Sequence, residues 1–229
     1  MNRIKLGIFG LDEMIRGGVP EGSVIAVLGA FGTGKTTFAM QFINYGLMNG
    51  ENCVYISLEE DEESLIKTAE AFHWDFRKYM DEGKLKVMIL EPEDLENLTK
   101  SLESELPYFL KEFSAKRVAV DSVSLLTMLM KSDVEKRKAL LSLTRGIKEC
   151  GATAILTAEV DKDNPTVSRE GLVEYVADGV ILLSYYKRGG DVKLTVEIVK
   201  MRRTPHMRKI KPYLITNRGI QVLTQAEIY

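Results

Sequence analysis

Residues 24–43 leave few folds open to this chain. They begin with an apolar run, Val24-Ile25-Ala26-Val27-Leu28, whose composition is that of a strand. The glycine-rich stretch Gly29-Ala30-Phe31-Gly32-Thr33-Gly34-Lys35-Thr36 follows, in the pattern G-x-x-x-x-G-K-T. Thr37-Phe38-Ala39-Met40-Gln41-Phe42-Ile43 then reads as a helix with an apolar face. Strand, glycine loop and helix in that order are the context that makes the pattern a P-loop. Gly32 and Gly34 let the backbone curl so that successive N–H groups point inward, where phosphate oxygens accept them. The positive end of the following helix adds to that field. Lys35 is placed for the β- and γ-phosphates, and the Thr36 hydroxyl for Mg²⁺. These residues predict a nucleoside triphosphate site.

The remaining chain predicts an α/β protein. Residues 10–23, with Gly17, Gly18 and Gly22, read as a short helix broken by glycines and then a turn. A second strand is expected over 53–58, closing on the acidic run Glu59-Glu60-Asp61-Glu62-Glu63. The next helix carries Leu65, Ile66, Ala69 and Phe72 at helical spacing. Strands over 85–89, 117–121 and 153–157 alternate with an amphipathic stretch over 95–113, interrupted by Pro107, and a charged-faced helix over 134–149. Residues 179–186, 192–201 and 210–215, with the turn Asn217-Arg218-Gly219, read as consecutive strands without helices between them. The fold class is therefore a mostly parallel central sheet flanked by helices, with a C-terminal antiparallel β extension. One domain over 1–229 is expected, with no linker, repeat or low-complexity segment.

Composition narrows the partners. The formal charge is -2 over 229 residues, so the chain as a whole is not an electrostatic nucleic-acid binder. Hydrophobic residues make up 45% and charged residues 28%, as in a soluble globular protein. No apolar run approaches the roughly 20 residues of a membrane span. The start, Met1-Asn2-Arg3-Ile4-Lys5-Leu6-Gly7, lacks a signal-peptide core, and a cytoplasmic location is expected. Cys53 and Cys150 have no zinc spacing and read as small core hydrophobes.

A phosphate site of this kind needs a second acidic group at a strand end to support Mg²⁺. Asp121, closing Val118-Ala119-Val120, fits that need. Hydrolysis also needs a group that orients and deprotonates water, and Glu59 and Glu60 stand at such a strand end. Asp61, Glu62 and Glu63 read as a solvated face. Strand alternation places Lys200 and Arg202 on one face, within Lys200-Met201-Arg202-Arg203-Thr204-Pro205-His206-Met207-Arg208-Lys209. Three readings of this cluster stay open on the residues alone: a γ-phosphate clamp, a nucleic-acid surface, and plain solvated charge.

With these residues in view, the chain resembles the RecA superfamily, and within it the KaiC-like ATPases. The resemblance runs from about Gly10 to Val222. It is carried by Gly10-Leu11-Asp12-Glu13, Val19-Pro20-Glu21-Gly22-Ser23, the P-loop, Leu58-Glu59-Glu60, Phe72-His73-Trp74-Asp75, Asp121-Ser122-Val123-Ser124, Thr157-Ala158-Glu159, Glu174-Tyr175-Val176-Ala177-Asp178 and Lys200-Met201-Arg202 with Thr204 and His206. It implies a RecA-like P-loop NTPase fold and a homo-oligomeric ring, a hexamer, with ATP and Mg²⁺ between neighbouring subunits. On that pattern Gly29, Gly32, Thr33, Gly34, Lys35, Thr36 and Thr37 hold phosphates, Thr36 and Asp121 support the metal, and Glu59 and Glu60 are the catalytic pair. Lys200, Met201, Arg202, Thr204 and His206 match residues offered to the adjacent subunit's nucleotide, Lys200 and Arg202 as catalytic clamp.

Two departures qualify the implication. Glu174 and Tyr175 stand where the circadian-clock member of that family, which has two such domains in tandem, carries a Ser-Thr pair in its phosphorylated half, which speaks against autokinase activity of that kind. Glu159 stands where recombinases carry a γ-phosphate-sensing Gln, and residues 160–173 hold only Lys162 and Arg169 as cations. Nucleic acid is thus a disfavoured partner. The expected activity is ATP hydrolysis in a regulatory or signalling ring with an unidentified protein client. The alternatives are a DNA-dependent recombination ATPase and a slow nucleotide-gated binding module.

Overall fold

The computed structural model describes residues 2–90 and 101–227 of the chain. Two short strands, β1 (Arg3–Ile4) and β2 (Val19–Pro20), pair antiparallel and bracket helix α1 (Leu11–Met14). The main strands are β3 (Val24–Gly29), β4 (Cys53–Ser57), β5 (Leu85–Ile89), β6 (Arg117–Asp121), β7 (Thr153–Glu159), β8 (Gly179–Arg188), β9 (Asp191–Met201), β10 (Lys211–Thr216) and β11 (Gly219–Val222). They form one nine-stranded sheet in the order β11-β10-β9-β8-β3-β7-β6-β4-β5. From β8 across to β5 neighbouring strands run parallel, whereas β8, β9, β10 and β11 meander antiparallel. The expected architecture is present, and β3 with its glycine loop lies in the middle of it.

Burial explains this order. Strands β3, β4 and β6 are buried along their whole length, the pattern of strands covered on both faces. Within β3 the side chains alternate. Ile25 and Val27 join a core beneath helix α2 (Lys35–Met48), with Phe38, Phe42 and Ile43. Val24, Ala26 and Leu28 join a second core under the helix Asp133–Glu149, with Leu140, Leu143 and Ile147. Helices α3 (Glu62–Ala71) and α4 (Phe76–Asp81) follow β4.

Several local expectations are corrected. Residues 10–23 do contain a short helix and a closing turn at Glu21-Gly22, but strand β2 lies between them, and its partner β1 lies at the other end of the same excursion. Strand β11 and the short helices Val123–Met128 and Val173–Val176 carry too few residues to show a period. Of the amphipathic stretch 95–113, residues 95–100 lie outside the described residues. Its remainder is a π turn, Ser101–Glu105, followed by the helix Leu106–Glu112. Pro107 does not interrupt that helix; it sits in its first turn, where a missing N–H costs nothing. Cys53 is buried, as expected, and burial pushes its thiol up to about 12. Cys150 is only half-buried.

A charged group also lies inside the fold. Arg117, at the start of β6, is 1% exposed. Its Nε donates to Glu51 at 2.5 Å and its Nη1 to the Lys5 and Phe42 carbonyls at 2.8 and 3.3 Å. Its guanidinium lies over the Phe42 and Tyr45 rings. Gly46 allows this, since a Cβ there would lie 2.4 Å from Arg117 Cδ. Removing the carboxylate leaves the buried cation without its hydrogen-bonded counter-charge. Glu51→Ala is expected to lower unfolding free energy by about 3 kcal/mol, read as a shifted midpoint in urea denaturation. An unchanged midpoint would show that water solvates the guanidinium there.

Candidate active site

The glycine loop leaves the sheet at the carboxyl end of β3. Gly32 and Gly34 have φ of 74° and 86°, in the left-handed region. A Cβ at Gly29 would meet Thr33 Oγ1 at 2.4 Å and one at Gly32 would meet the Tyr185 hydroxyl at 2.5 Å. The Ala30 carbonyl accepts from Thr33 Oγ1 at 2.7 Å and Lys35 Nζ at 3.2 Å, which draws the loop around its own centre. Tyr185 donates to the Phe31 carbonyl at 3.0 Å, and Tyr213 donates to the Thr33 carbonyl.

Helix α2 begins differently from α3, α4 and the helix Asp133–Glu149. Asp61, Asp75 and Ser132 accept backbone N–H groups at the starts of α3, α4 and Asp133–Glu149. Helix α2 starts at Gly34 with no side-chain cap and no acid in its first turn. The first N–H groups of a helix lack partners inside it. Here those of Lys35, Thr36 and Thr37 are left with the dipole's positive end beside a curled loop, so a phosphate chain fits the donors present.

Asp121 ends β6, separated from β3 by β7. It is 3% exposed, and its carboxylate accepts from Tyr55 Oη at 2.7 Å and from the Thr157 hydroxyl. Tyr55 and Thr157 come from β4 and β7, the strands on either side. Burial, then the Asp121 charge, push the Tyr55 phenol well above its usual range, so it stays a donor. The next residue, Ser122, donates from Oγ to Glu59 Oε1 at 2.5 Å. Glu59 is thereby drawn to the end of β6, beside Asp121. Glu60 accepts from Ser64 Oγ at 2.6 Å on helix α3, and the charges of both glutamates add to the upward push on the Tyr55 phenol. The pair expected at this strand end is thus divided between two neighbours. Glu159, closing β7, accepts from the Arg169 backbone at 2.9 Å and lies 3.4 Å from its guanidinium. With Ala30 and Phe31 these two residues line a groove of about 570 Å³ beside the loop.

The cationic cluster is elsewhere. Ile25 pairs with Gly179 and Gly29 with Leu183, while Gly179 pairs with Met201. Met201 is therefore level with Ile25, and the glycine loop starts about 13 Å further along the strands, four residues at about 3.3 Å each. Lys200 Nζ donates to the Glu174 and Ala177 carbonyls at 2.8 and 2.7 Å. Burial and the Arg202 charge push the Lys200 ammonium below its usual range. Arg202 is exposed, with Nη1 3.8 Å from Asp178 Oδ1. Burial pushes the Asp178 carboxyl up, but the Lys148 ammonium at 2.8 Å and the Val24 N–H at 3.0 Å outweigh it, and the net shift is downward. Met201 and Thr204 are buried: Met201 packs into the core, and Thr204 Oγ1 accepts from Arg3 at 3.2 Å. His206 is half-buried beside the Thr204 carbonyl.

Two groups thus emerge from the residues singled out in the sequence. Residues 29–37, Glu59 and Asp121 gather at the carboxyl ends of the parallel strands; Lys200, Arg202 and His206 lie toward the opposite end. Tyr55, Tyr185 and Tyr213 were not singled out, and Ser122 and Thr157 entered only within motifs that carry the resemblance, without a role. The signal for Tyr55 and Thr157 was a hydroxyl inside an otherwise apolar strand.

The sequence profile described as "ATPase: KaiC" matches residues 4–227. The circadian clock oscillator protein KaiC of Acaryochloris marina is 34% identical over 230 residues, covering 97% of this chain and 44% of that protein. That of Synechococcus elongatus is 33% identical, covering 96% and 44%. The chain spans under half the length of these clock proteins. The crystal structure of a KaiC-like protein from the hyperthermophilic archaeon Pyrococcus horikoshii superposes with a TM-score of 0.87 at 38% identity, covering 96% of this chain and 98% of that one. The glycine loop at the centre of a RecA-like sheet and a profile match over almost the full length agree, and the chain belongs to the KaiC ATPase family.

Proposed function

We propose that residues 1–229 act as one ATPase domain that binds ATP between the subunits of a homo-oligomeric ring, the hexamer that its family resemblance implies. Residues 29–37 hold the phosphates. Thr36 and Asp121 would hold Mg²⁺, which neutralises phosphate charge when bound. Glu59, beside Asp121, takes the proton of the attacking water, and Glu60 supports the turn it leaves. Lys200 and Arg202 serve the neighbour's γ-phosphate, with Met201, Thr204 and His206 shaping the segment that presents them. The client is a protein that reads the nucleotide state, in the cytoplasm. Among the described residues no helix is long and apolar enough to cross a membrane.

The observation that carries this reading is the separation along the sheet. Lys200 and Arg202 lie level with the start of β3 and the glycine loop with its end. Cations placed there cannot serve their own loop, but a heterologous interface brings one subunit's far end to another's loop and closes into a ring. Mixing tests it. Lys35→Ala subunits keep an intact clamp, and Arg202→Ala subunits keep an intact loop. Mixed rings are expected to regain ATPase activity that neither parent shows, because some interfaces combine the two intact halves. If exchanged mixtures hydrolyse no more than their parents, the clamp does not act across subunits.

A further inference from the structure

Beyond the phosphate-binding residues, the antiparallel extension contributes two side chains to the loop. Tyr185 on β8 and Tyr213 on β10 both pair with Leu194 of β9, so the three residues form one row across adjacent strands. Directly opposed residues share a face of the sheet. The row therefore presents two phenols to the same neighbour, the glycine loop. Tyr185 Oη donates to the Phe31 carbonyl at 3.0 Å, and the buried Tyr213 Oη donates to the Thr33 carbonyl.

The peptide plane gives these bonds a consequence. In a trans peptide the C=O of one residue and the N–H of the next point in opposite directions. A Phe31 carbonyl held toward Tyr185 turns the Gly32 N–H away from the sheet. A Thr33 carbonyl held toward Tyr213 does the same for the Gly34 N–H. Neither N–H donates to a protein acceptor among the described residues. Between them the Thr33 N–H turns inward to the Ala30 carbonyl, so the loop alternates. Glycine backbones permit many peptide orientations, and the bonds of Thr33 to the Ala30 carbonyl do not themselves hold the Phe31 and Thr33 carbonyls. We infer that Tyr185 and Tyr213 are positioning residues that preset the Gly32 and Gly34 amides toward the phosphate chain. The inference rests on the reading of residues 29–37 as a triphosphate site.

Burial also pushes the Tyr213 phenol above its usual range, so the hydroxyl remains a donor across physiological pH. The arrangement adds a second reason for glycine at position 32, where a Cβ would strike the Tyr185 hydroxyl. A preset loop binds more tightly because its order is not imposed at the moment of binding.

Tyr185→Phe, Tyr213→Phe and the double variant test this, with ATP and inorganic tripolyphosphate as probes in titration calorimetry. Each single change is expected to weaken both probes about fivefold to tenfold, the range of one net hydrogen bond. The double variant is expected to lose more than either. Backbone amide spectra of the nucleotide-free protein give a second readout, in which Gly32 and Gly34 should shift or broaden in the variants. Tyr185 is 40% exposed, so its variant keeps the fold even where Tyr213→Phe lowers stability. Unchanged affinity for both probes, with wild-type binding intact, overturns the inference and leaves the nucleotide reading standing. Weakened ATP with unchanged tripolyphosphate also overturns it, because the phenols would then touch base or sugar. A wild-type protein that binds neither probe removes the triphosphate reading itself, and the positioning role with it.

Discussion

Lys35→Ala protein is expected to fold and to lose tight ATP binding, by at least about 10²-fold, since an ammonium meeting two phosphates contributes charge-assisted bonds of about 1.5–3 kcal/mol each. Lys35 Nζ donates to the Ala30 carbonyl, which places the ammonium over the curled loop. Besides that bond, the loop is held by the glycine conformations, the Thr33 hydroxyl and the two tyrosines. The alanine variant therefore keeps the cradle and loses the cation, which makes calorimetric titration with ATP a direct reading of that charge. Undiminished affinity would overturn the assignment of residues 29–36 as a phosphate site. Loss of far-ultraviolet circular dichroism would instead point to a structural role for the side chain.

Glu59→Gln with Glu60→Gln is expected to bind ATP normally and to hydrolyse it about 10²-fold more slowly or worse, the usual worth of a positioned base. The geometry divides that loss unequally. Glu59 is joined through Ser122 to the end of β6, beside Asp121, whereas Glu60 is engaged by Ser64 at the foot of helix α3. Glu59→Gln alone should account for most of the deficit, and Glu60→Gln alone for a small part. Single-turnover hydrolysis with prebound ATP separates chemistry from binding. A double variant that turns over at the wild-type rate would move the base to another residue, and Glu159 in the neighbouring groove would be the next to change.

What could be read in advance follows from how far each feature reaches along the chain. Residues 24–43 specify strand, loop and helix through contiguous patterns, and the structure has β3, the curled loop and α2 there. The parallel part of the sheet followed from strands with all-apolar runs separated by helical segments, because burial on both faces leaves no polar alternation. The antiparallel extension followed from three strand patterns with no helix between them. Short elements such as β1, β2 and β11 escaped, since two to four residues carry no period. The π turn before Pro107 escaped for a different reason: a proline in an amphipathic run reads equally as a break or a beginning, and only packing decides.

The chemistry divides along the same line. Contiguous patterns identify the residue types open to a phosphate chain: the glycines, Lys35, Thr36, and acids at the ends of apolar strands. Each of those depends on a local pattern. Relations between strands came only with the folded chain. It put Tyr55 and Thr157 on either side of Asp121, gave Glu59 and Glu60 different hydrogen-bond partners, and carried Lys200 and Arg202 to the end of the sheet away from their own loop. It also aligned Tyr185 and Tyr213 on one row beneath the loop. Such relations arise from strand order and register, which are set by the burial of both sheet faces at once, and no stretch of contiguous residues encodes them.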